Sequence, residues 1–466
     1  MLGMGNMRQW LMNISLVGGW FPAAAFAVVA VLSVFLLVSA AVSKRDGRIL
    51  ATVLPIGVAA VSGMVGYVVA WLLSDVFVVF GVGLGSRVMA WVAAGFAIAG
   101  FAIVHIVLSR GMMRVAAAIL TVFAILAAAI GIDQSYGEYA TIGSLFGEDS
   151  YSQADLTGLA KRKDLITVAQ WRKQAANGTI RNIPANGTVN KIDIPATKSQ
   201  FEARKALVYL PPAALADSKR KPALPVVLML SGQPGSPGRV FQAGGIQTMM
   251  DGYAKTHDGL APIVIAADQL GADSHNTLCV DSKVYGNALT YLTQDVVDWV
   301  KTNLPAAQDA KDWAIAGFSQ GATCSLQIGV NHPDLFGTMI PTDSEIKPTN
   351  GSRQEMIDRI FDGDTTAYEN QVPVNAIRNH APTHQMLIIG AGEKDTASIR
   401  NVKTIAPVAA KAGMRVAAVE SSGNAHDWHA VQDVLRYGLA VFGHDTGLDG
   451  ANPNLSDYPN LKRITI

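Results

Sequence analysis

The segment Gly317-Phe318-Ser319-Gln320-Gly321 carries the most definite chemistry in this chain. A serine set between glycines, after a short apolar run (313–316) and before a helical pattern (319–330), fits a strained strand-to-helix turn that exposes its hydroxyl at a sheet edge. The flanking glycines remove the Cβ atoms that would clash there. A serine presented in this way is an acyl-transfer nucleophile, and it needs a base, an acid that orients the base, and donors for the oxyanion. The expected chain order is Ser, acid, His. For the acid, run 386–389 leads into Gly390-Ala391-Gly392-Glu393-Lys394-Asp395. Asp395, deeper in the turn, is preferred, and Glu393 is the alternative. For the base, His426 lies in Gly423-Asn424-Ala425-His426-Asp427-Trp428, after the run 416–419 and at the mouth of the final helical pattern. His429 shares that helix face but lies inside it and ranks second. The oxyanion donors are expected to be the backbone N–H groups of Gln320 and of Gln233, the latter in the glycine-containing loop Ser231–Gly235 after run 226–230.

These residues need a framework that brings them to one edge. Short runs rich in branched residues (206–210, 226–230, 263–267, 313–316, 338–341, 386–389) alternate with helical patterns at 284–302, 319–330, 398–412 and 426–442. Strand-helix alternation of this kind implies an α/β fold, a mainly parallel sheet with helices on both faces, whose ligands bind beyond the carboxyl ends of the strands. The catalytic domain is expected over residues 201–443, followed by a tail, 444–466. Residues 133–200, polar and rich in Gly, Asn and Ser, read as a stalk and N-terminal extension with one helical stretch at 155–176.

The N-terminal region has a different composition. Of 37 basic and 36 acidic residues in the 466-residue chain, residues 1–132 hold only seven and two. Four stretches without any acid, Lys or Arg (21–42, 49–73, 88–108 and 115–132) are each long enough to cross a bilayer. Trp10 and Trp20 bracket a shorter interfacial segment. Lys44, Arg45 and Arg48 in the first loop and Arg110 and Arg114 in the third place both loops in the cytoplasm, so four crossings leave the remaining chain extracytoplasmic. The apolar run 76–84 could instead form a re-entrant turn. His105 is the one titratable side chain within a span, close enough to its cytoplasmic end to reach head groups or backbone carbonyls, so the spans read as an anchor and not as a transporter.

Half the residues are hydrophobic and 16% charged, which excludes a disordered chain. Beyond residue 132 the balance is mildly acidic and no basic patch or arm is visible, so no nucleic-acid partner is expected. No Cys or His cluster has ligand spacing, so no metal is expected. The two cysteines, Cys279 and Cys324, both in the later half, read as one disulfide in an oxidising compartment, with two unpaired buried thiols as the alternative.

Taken together, residues 201–212, the loop 231–235, Cys279-Val280-Asp281-Ser282, residues 291–299, 317–324 and 423–428 resemble the putative-esterase family of α/β-hydrolases. That family includes esterase D and the secreted mycolyltransferases of the antigen 85 type. The likeness covers about residues 200–443, and the spans with residues 136–147 resemble a membrane-anchored actinobacterial branch. The resemblance implies a serine hydrolase or acyltransferase without a cofactor, and assigns the catalytic roles to Ser319, Asp395 or Glu393, and His426. Two positions depart from the family pattern: Ser231, where many relatives have His, and Asn424, where Gly is common. Some anchored relatives resemble hydrolases of aminoacyl esters of phosphatidylglycerol. The first expectation is therefore an extracytoplasmic serine esterase of the cell membrane acting on a membrane lipid or envelope glycolipid. The second is acyl transfer to a sugar or lipid alcohol, and the third, from another class, a noncatalytic membrane-anchored binding protein.

Overall fold

An uncharged apolar stretch can satisfy its backbone in lipid only as a helix or as part of a closed barrel, and the first unit of the chain, Met1–Asp149, is built from helices of this kind. The computed structural model describes residues 2–42, 48–77, 84–148, 151–160, 164–180, 182–218 and 220–466. After a short helix α1 (Leu2–Met12) come α2 (Trp20–Val42), α3 (Arg48–Trp71, continued by a π-helical turn, Leu72–Val76), α4 (Gly85–Leu108) and α5 (Met112–Tyr136). Among the described residues four helices are long and apolar enough to cross a membrane, which suggests multi-pass anchoring. Small residues let them approach closely. A Cβ on Gly131 of α5 would lie 2.3 Å from the Trp91 ring of α4, and one on Gly100 of α4 2.4 Å from Ser62 Oγ of α3. Large apolar side chains such as Val31, Val122 and Ile125 are exposed on the outer faces. Trp10 and Trp20 are exposed and stacked. His105, expected to reach head groups or backbone carbonyls, is buried, which excludes the head-group alternative, with its ring 4.7 Å from that of Phe101. Lys44, Arg45 and residues 78–83 of the apolar run 76–84 lie outside the described residues.

In the second unit, Ser150–Ile466, alternate strand residues face two separate cores. The strands are β1 (Ser152–Gln153), β2 (Thr188–Ile192), β3 (Ala206–Leu210), β4 (Val226–Leu230), β5 (Ile263–Ala266), β6 (Trp313–Phe318), β7 (Thr338–Thr342), β8 (Met386–Gly392), β9 (Arg415–Ser421) and β10 (Leu461–Arg463). They form one ten-stranded sheet in the order β1-β2-β3-β5-β4-β6-β7-β8-β9-β10. From β5 to β9 all pairs are parallel, whereas β3 is antiparallel to both its neighbours and β10 antiparallel to β9. Val226, Leu228 and Leu230 pack with Leu326 and Ile328 of helix α6 (Gln320–Asn331) and with Val402 and Ile405 of α7 (Thr396–Lys411). Val227 and Met229 pack on the other side with Val431 and Val434 of α8 (Trp428–Asp445). Burial on both faces explains why these strands read as continuous apolar runs. The architecture is that of an α/β-hydrolase.

Four expectations change. The stretch 133–200 is more than a stalk, because β1 and β2 extend the sheet from it. Its helix is confined to Val168–Ala176, where Thr167 and Gln170 form a reciprocal capping box that fixes the start. The helical pattern at 284–302 begins only at Ala288, because Asp281–Ser282 and Gly286–Asn287 form a hairpin in which Gly286 takes φ +82°. The tail returns to the sheet as its edge strand β10.

Candidate active site

The turn after β6 is shaped by close backbone approach. Ser319 has φ +56° and ψ −117°, a conformation costly for a residue with a side chain. Its N–H donates to the Thr342 carbonyl at 3.0 Å. A Cβ on Gly317 would lie 2.2 Å from the Gly321 carbonyl oxygen, and one on Gly321 would lie 2.3 Å from that of Ser231. Both glycines of the motif are therefore required by space.

This turn, the loop after β8 and the loop after β9 meet at the carboxyl end of the sheet. His426 Nε2 lies 2.8 Å from Ser319 Oγ, and Nδ1 lies 2.7 Å from Asp395 Oδ2. The other Asp395 oxygen, Oδ1, accepts the Ser398 N–H at 3.0 Å and so caps α7. The histidine loop is fixed on both sides. Asp427 caps α8 by accepting the Ala430 N–H, while Asn424, at one of the departures from the family pattern, donates to Ser421 Oγ at 2.8 Å and to Asp433 Oδ2 at 3.2 Å. Phe318 lies against the imidazole, ring centres 5.0 Å apart. Of the two acids weighed from sequence, only Asp395 bonds to His426. Glu393 accepts the Gly423 N–H at 2.7 Å and pairs with Lys462 of β10 at 3.0 Å, so it ties the tail strand to the histidine loop. His429 lies in the first turn of α8, one residue beyond Trp428, and His426 is the histidine at the serine.

The charges suit base catalysis. Burial raises the Asp395 pKa, but the hydrogen bond and charge of His426, together with the Ser398 contacts, outweigh this and hold it below the usual carboxylate range. Burial depresses the His426 pKa; the bond to Asp395 and the charges of Asp343, Asp395 and Asp427 overcome it and leave the imidazole above its ordinary 6.5. With Asp395 ionised, Nδ1 carries the proton and donates, and Nε2 accepts from the serine hydroxyl.

The loop Ser231–Gly235 borders the nucleophile, since a Cβ on Gly232 would lie 3.5 Å from that of Ser319. This brings Gln233 and the start of α6, Gln320, to the same place. Ser231, the other departure, is wholly buried, and its carbonyl accepts from Gln269 Nε2 at 2.7 Å. That same Gln269 amide reaches Gln320 Oε1 at 3.2 Å, and Gln320 Nε2 lies 3.3 Å from Cys324 Sγ. Cys279 and Cys324 are bonded to each other, which fixes the loop after β5 to the nucleophile helix.

Two carboxyl groups at this edge were not singled out from the sequence. Asp343 is wholly buried at φ +54°, and one side-chain oxygen accepts the Gly392 N–H at 2.9 Å. Side-chain atoms of Asp343, Asp395 and His426 lie within 4.8 Å of one another. Both ring nitrogens of His426 are already engaged, which leaves this group without a histidine lone pair for a metal. Burial, chiefly, holds the Asp343 pKa well above the carboxylate range. Burial likewise pushes Glu345 up to about 7, against the charge of His426 and a hydrogen bond from the Thr349 N–H. The available signal was position: both acids follow directly on the apolar run 338–341, at the end of the strand beside the nucleophile strand.

Comparison with known proteins adds three findings. A family model described as Putative esterase matches residues 198–438. An uncharacterized protein of Corynebacterium glutamicum is 32% identical over 333 residues, 70% of this chain and 74% of its own length. Among solved structures, an S-formylglutathione hydrolase from Agrobacterium tumefaciens is 16% identical with a TM-score of 0.46, covering 57% of this chain and 98% of its own. MPT51 of Mycobacterium tuberculosis is 14% identical with a TM-score of 0.40, covering 55% and 98%.

Proposed function

This chain belongs to the Putative esterase family, and from that premise we propose that it is a membrane-anchored serine esterase that hydrolyses the aminoacyl ester of a membrane lipid such as aminoacyl-phosphatidylglycerol, on the extracytoplasmic side. The observation that carries the chemistry is the hydrogen-bonded chain Ser319–His426–Asp395. Ser319 Oγ attacks the ester carbonyl as His426 Nε2 takes its proton; the Gln320 and Gln233 N–H groups receive the oxyanion; Asp395 stabilises the imidazolium. Collapse of the intermediate breaks the bond to the lipid oxygen, which leaves with the proton from His426. Water, deprotonated by the same nitrogen, then releases the acid and restores the serine.

The lipid and the compartment are supported by other features. Arg110 and Arg114, with the cations of the first loop, favour cytoplasmic loops and an outward exit after α5. A disulfide fits an oxidising compartment. Anchoring raises the local concentration of a substrate in the same membrane.

The test uses the purified full chain in mixed micelles containing alanyl-phosphatidylglycerol. Free alanine and phosphatidylglycerol are expected, and none with Ser319→Ala. Transfer of alanine to added glycerol or trehalose in preference to water would establish the acyltransferase instead. Cleavage of p-nitrophenyl butyrate without release of alanine from the lipid would refute the substrate assignment.

A further inference from the structure

An oxyanion hole made of the Gln320 and Gln233 N–H groups draws on two separate segments, the start of α6 and the loop Ser231–Gly235, and works only if their separation is fixed before the charge develops. The segment that follows β5 (Ile263–Ala266) supplies the holds. Just beyond that strand stand Asp268 and Gln269, both wholly buried. Gln269 Nε2 donates to the Ser231 carbonyl at 2.7 Å and to Gln320 Oε1 at 3.2 Å, with Ser231 Oγ at 3.3 Å, so one amide spans both segments. A carbonyl can only accept, which fixes the nitrogen of this amide toward Ser231. Gln269 is itself anchored, its own carbonyl accepting from Thr277 Oγ1 at 2.7 Å. Its side-chain oxygen, Oε1, is buried with no hydrogen-bond partner among the described residues. An apolar side chain of the same size would avoid the cost of that orphan acceptor but could not make the bridge.

The far end of the loop is held through the neighbouring residue. Asp268 accepts from Arg204 Nε at 2.9 Å on Oδ2 and from Nη2 at 2.8 Å on Oδ1, and the N–H groups of Arg204, Leu270 and Gly271 also donate to it. Oriented by this fork, Nη2 also donates to the Gly235 carbonyl at 2.9 Å. Between the two holds the loop is folded tightly on itself. A Cβ on Gly235 would lie 2.2 Å from the Gly232 carbonyl oxygen and 2.9 Å from Ser231 Oγ. Ser231 and Gly235 are thus fixed at the two ends of a short, compact turn, with Gln233 midway between them.

We propose that Gln269 and Arg204 are positioning residues of the oxyanion hole. Gln269 fixes the loop against the first residue of α6, Arg204 fixes the loop's other end, and together they set the separation of the Gln233 and Gln320 N–H groups. Neither takes part in the proton transfers. This assignment rests on the serine-esterase reading above and is independent of which lipid is the substrate. A hole held at one width favours the oxyanion over the ester carbonyl, so loosening it acts on kcat and not on KM.

The experiment compares the wild-type full chain with Gln269→Leu and with Arg204→Lys, which keeps a cation for Asp268 but lacks the fork that reaches Gly235. Three quantities are read: kcat and KM for p-nitrophenyl butyrate, the inhibition constant of butyl trifluoromethyl ketone, and the acid midpoint of kcat/KM. Ser319 Oγ adds to the ketone carbon as its proton passes to His426 Nε2 and the carbonyl electron pair becomes an oxyanion, with no leaving group, so the inhibition constant reports the hole. Gln269→Leu should lower kcat about tenfold to a hundredfold with KM within about threefold, and raise the inhibition constant by the same factor. Arg204→Lys should act in the same direction by about threefold to tenfold. The acid midpoint, which belongs to His426, should not move. A mere loss of folded enzyme lowers kcat and leaves the inhibition constant where it was, so an unchanged constant in Gln269→Leu would overturn the role of Gln269. If that variant does not fold, an unchanged constant in Arg204→Lys would overturn the positioning role. A displaced acid midpoint would put the effect at His426 and overturn it as well. A wild-type chain that neither cleaves the ester nor binds the ketone would overturn the esterase reading, and this one with it.

Discussion

Replacing Asp395 by Asn removes a charge and reverses a hydrogen bond with almost no change of shape. In the wild type the Asp395 carboxylate lies 2.7 Å from His426 Nδ1 and faces the imidazolium that forms as Ser319 attacks. Taking the charge centres as about 4 Å apart and an effective dielectric of about 20, that attraction is worth roughly 4 kcal/mol, or about a thousandfold in rate. An amide there also favours the wrong imidazole tautomer, which brings the expected fall in kcat to about 10³–10⁴. The assay is steady-state hydrolysis of p-nitrophenyl butyrate at pH 7, with thermal unfolding checked in parallel. KM should stay within about threefold of wild type. Glu393→Gln, which alters only the exposed pair with Lys462 and the bond from Gly423, should keep kcat within about twofold. If Glu393→Gln cost more than Asp395→Asn, or if Asp395→Asn lost less than tenfold, the orientation argument would be wrong.

Three further outcomes follow from the same geometry. His426 must be neutral to accept the serine proton and its pKa is raised, so kcat/KM should fall on acidification through a value above 6.5, and a midpoint below 6.5 would contradict the charge balance at the site. The Cys279–Cys324 bond closes a loop of 45 residues, so changing both to Ala should cost about 4 kcal/mol in denaturant unfolding, and a cost below about 1 kcal/mol would show that the loop is held by other contacts. Glu345 has an ordinary value of 4.5 and lies at about 7 when folded, so the folded state binds its proton more tightly and loses stability as pH rises between those values. Glu345→Gln should therefore be more stable than wild type at pH 8, by up to about 3 kcal/mol, with the gain disappearing near pH 4.5; equal melting profiles at both would refute the burial cost.

Much of the site is legible in the sequence because strand order and turn chemistry leave few places for a Ser, an acid and a His. Gly317 and Gly321 mark close backbone approach, and the run 386–389 points to the loop that holds Asp395. In space the two acids separate: Asp395 bonds to His426, whereas Glu393 pairs with Lys462 on β10, far away in sequence. That strand is itself hard to read, since three residues, Leu461–Arg463, pair at an edge with only one buried side chain. β1 and β2 are obscured in the same way, by brevity and by polar faces. The membrane helices are plain from composition, but their ends run into flanking polar residues, as at Asp133–Tyr136 of α5. Asp343 and Glu345 carry no motif, and their importance comes from burial and from the charge of His426 across the sheet edge.

An activated serine facing outward can be detected by treating intact cells with a membrane-impermeant fluorophosphonate and comparing the wild type with Ser319→Ala. Labelling of the wild-type chain in intact cells, absent in the variant, is expected. Labelling that appears only after lysis would contradict the extracytoplasmic placement, and no labelling in either preparation would contradict a serine hydrolase built on Ser319, His426 and Asp395.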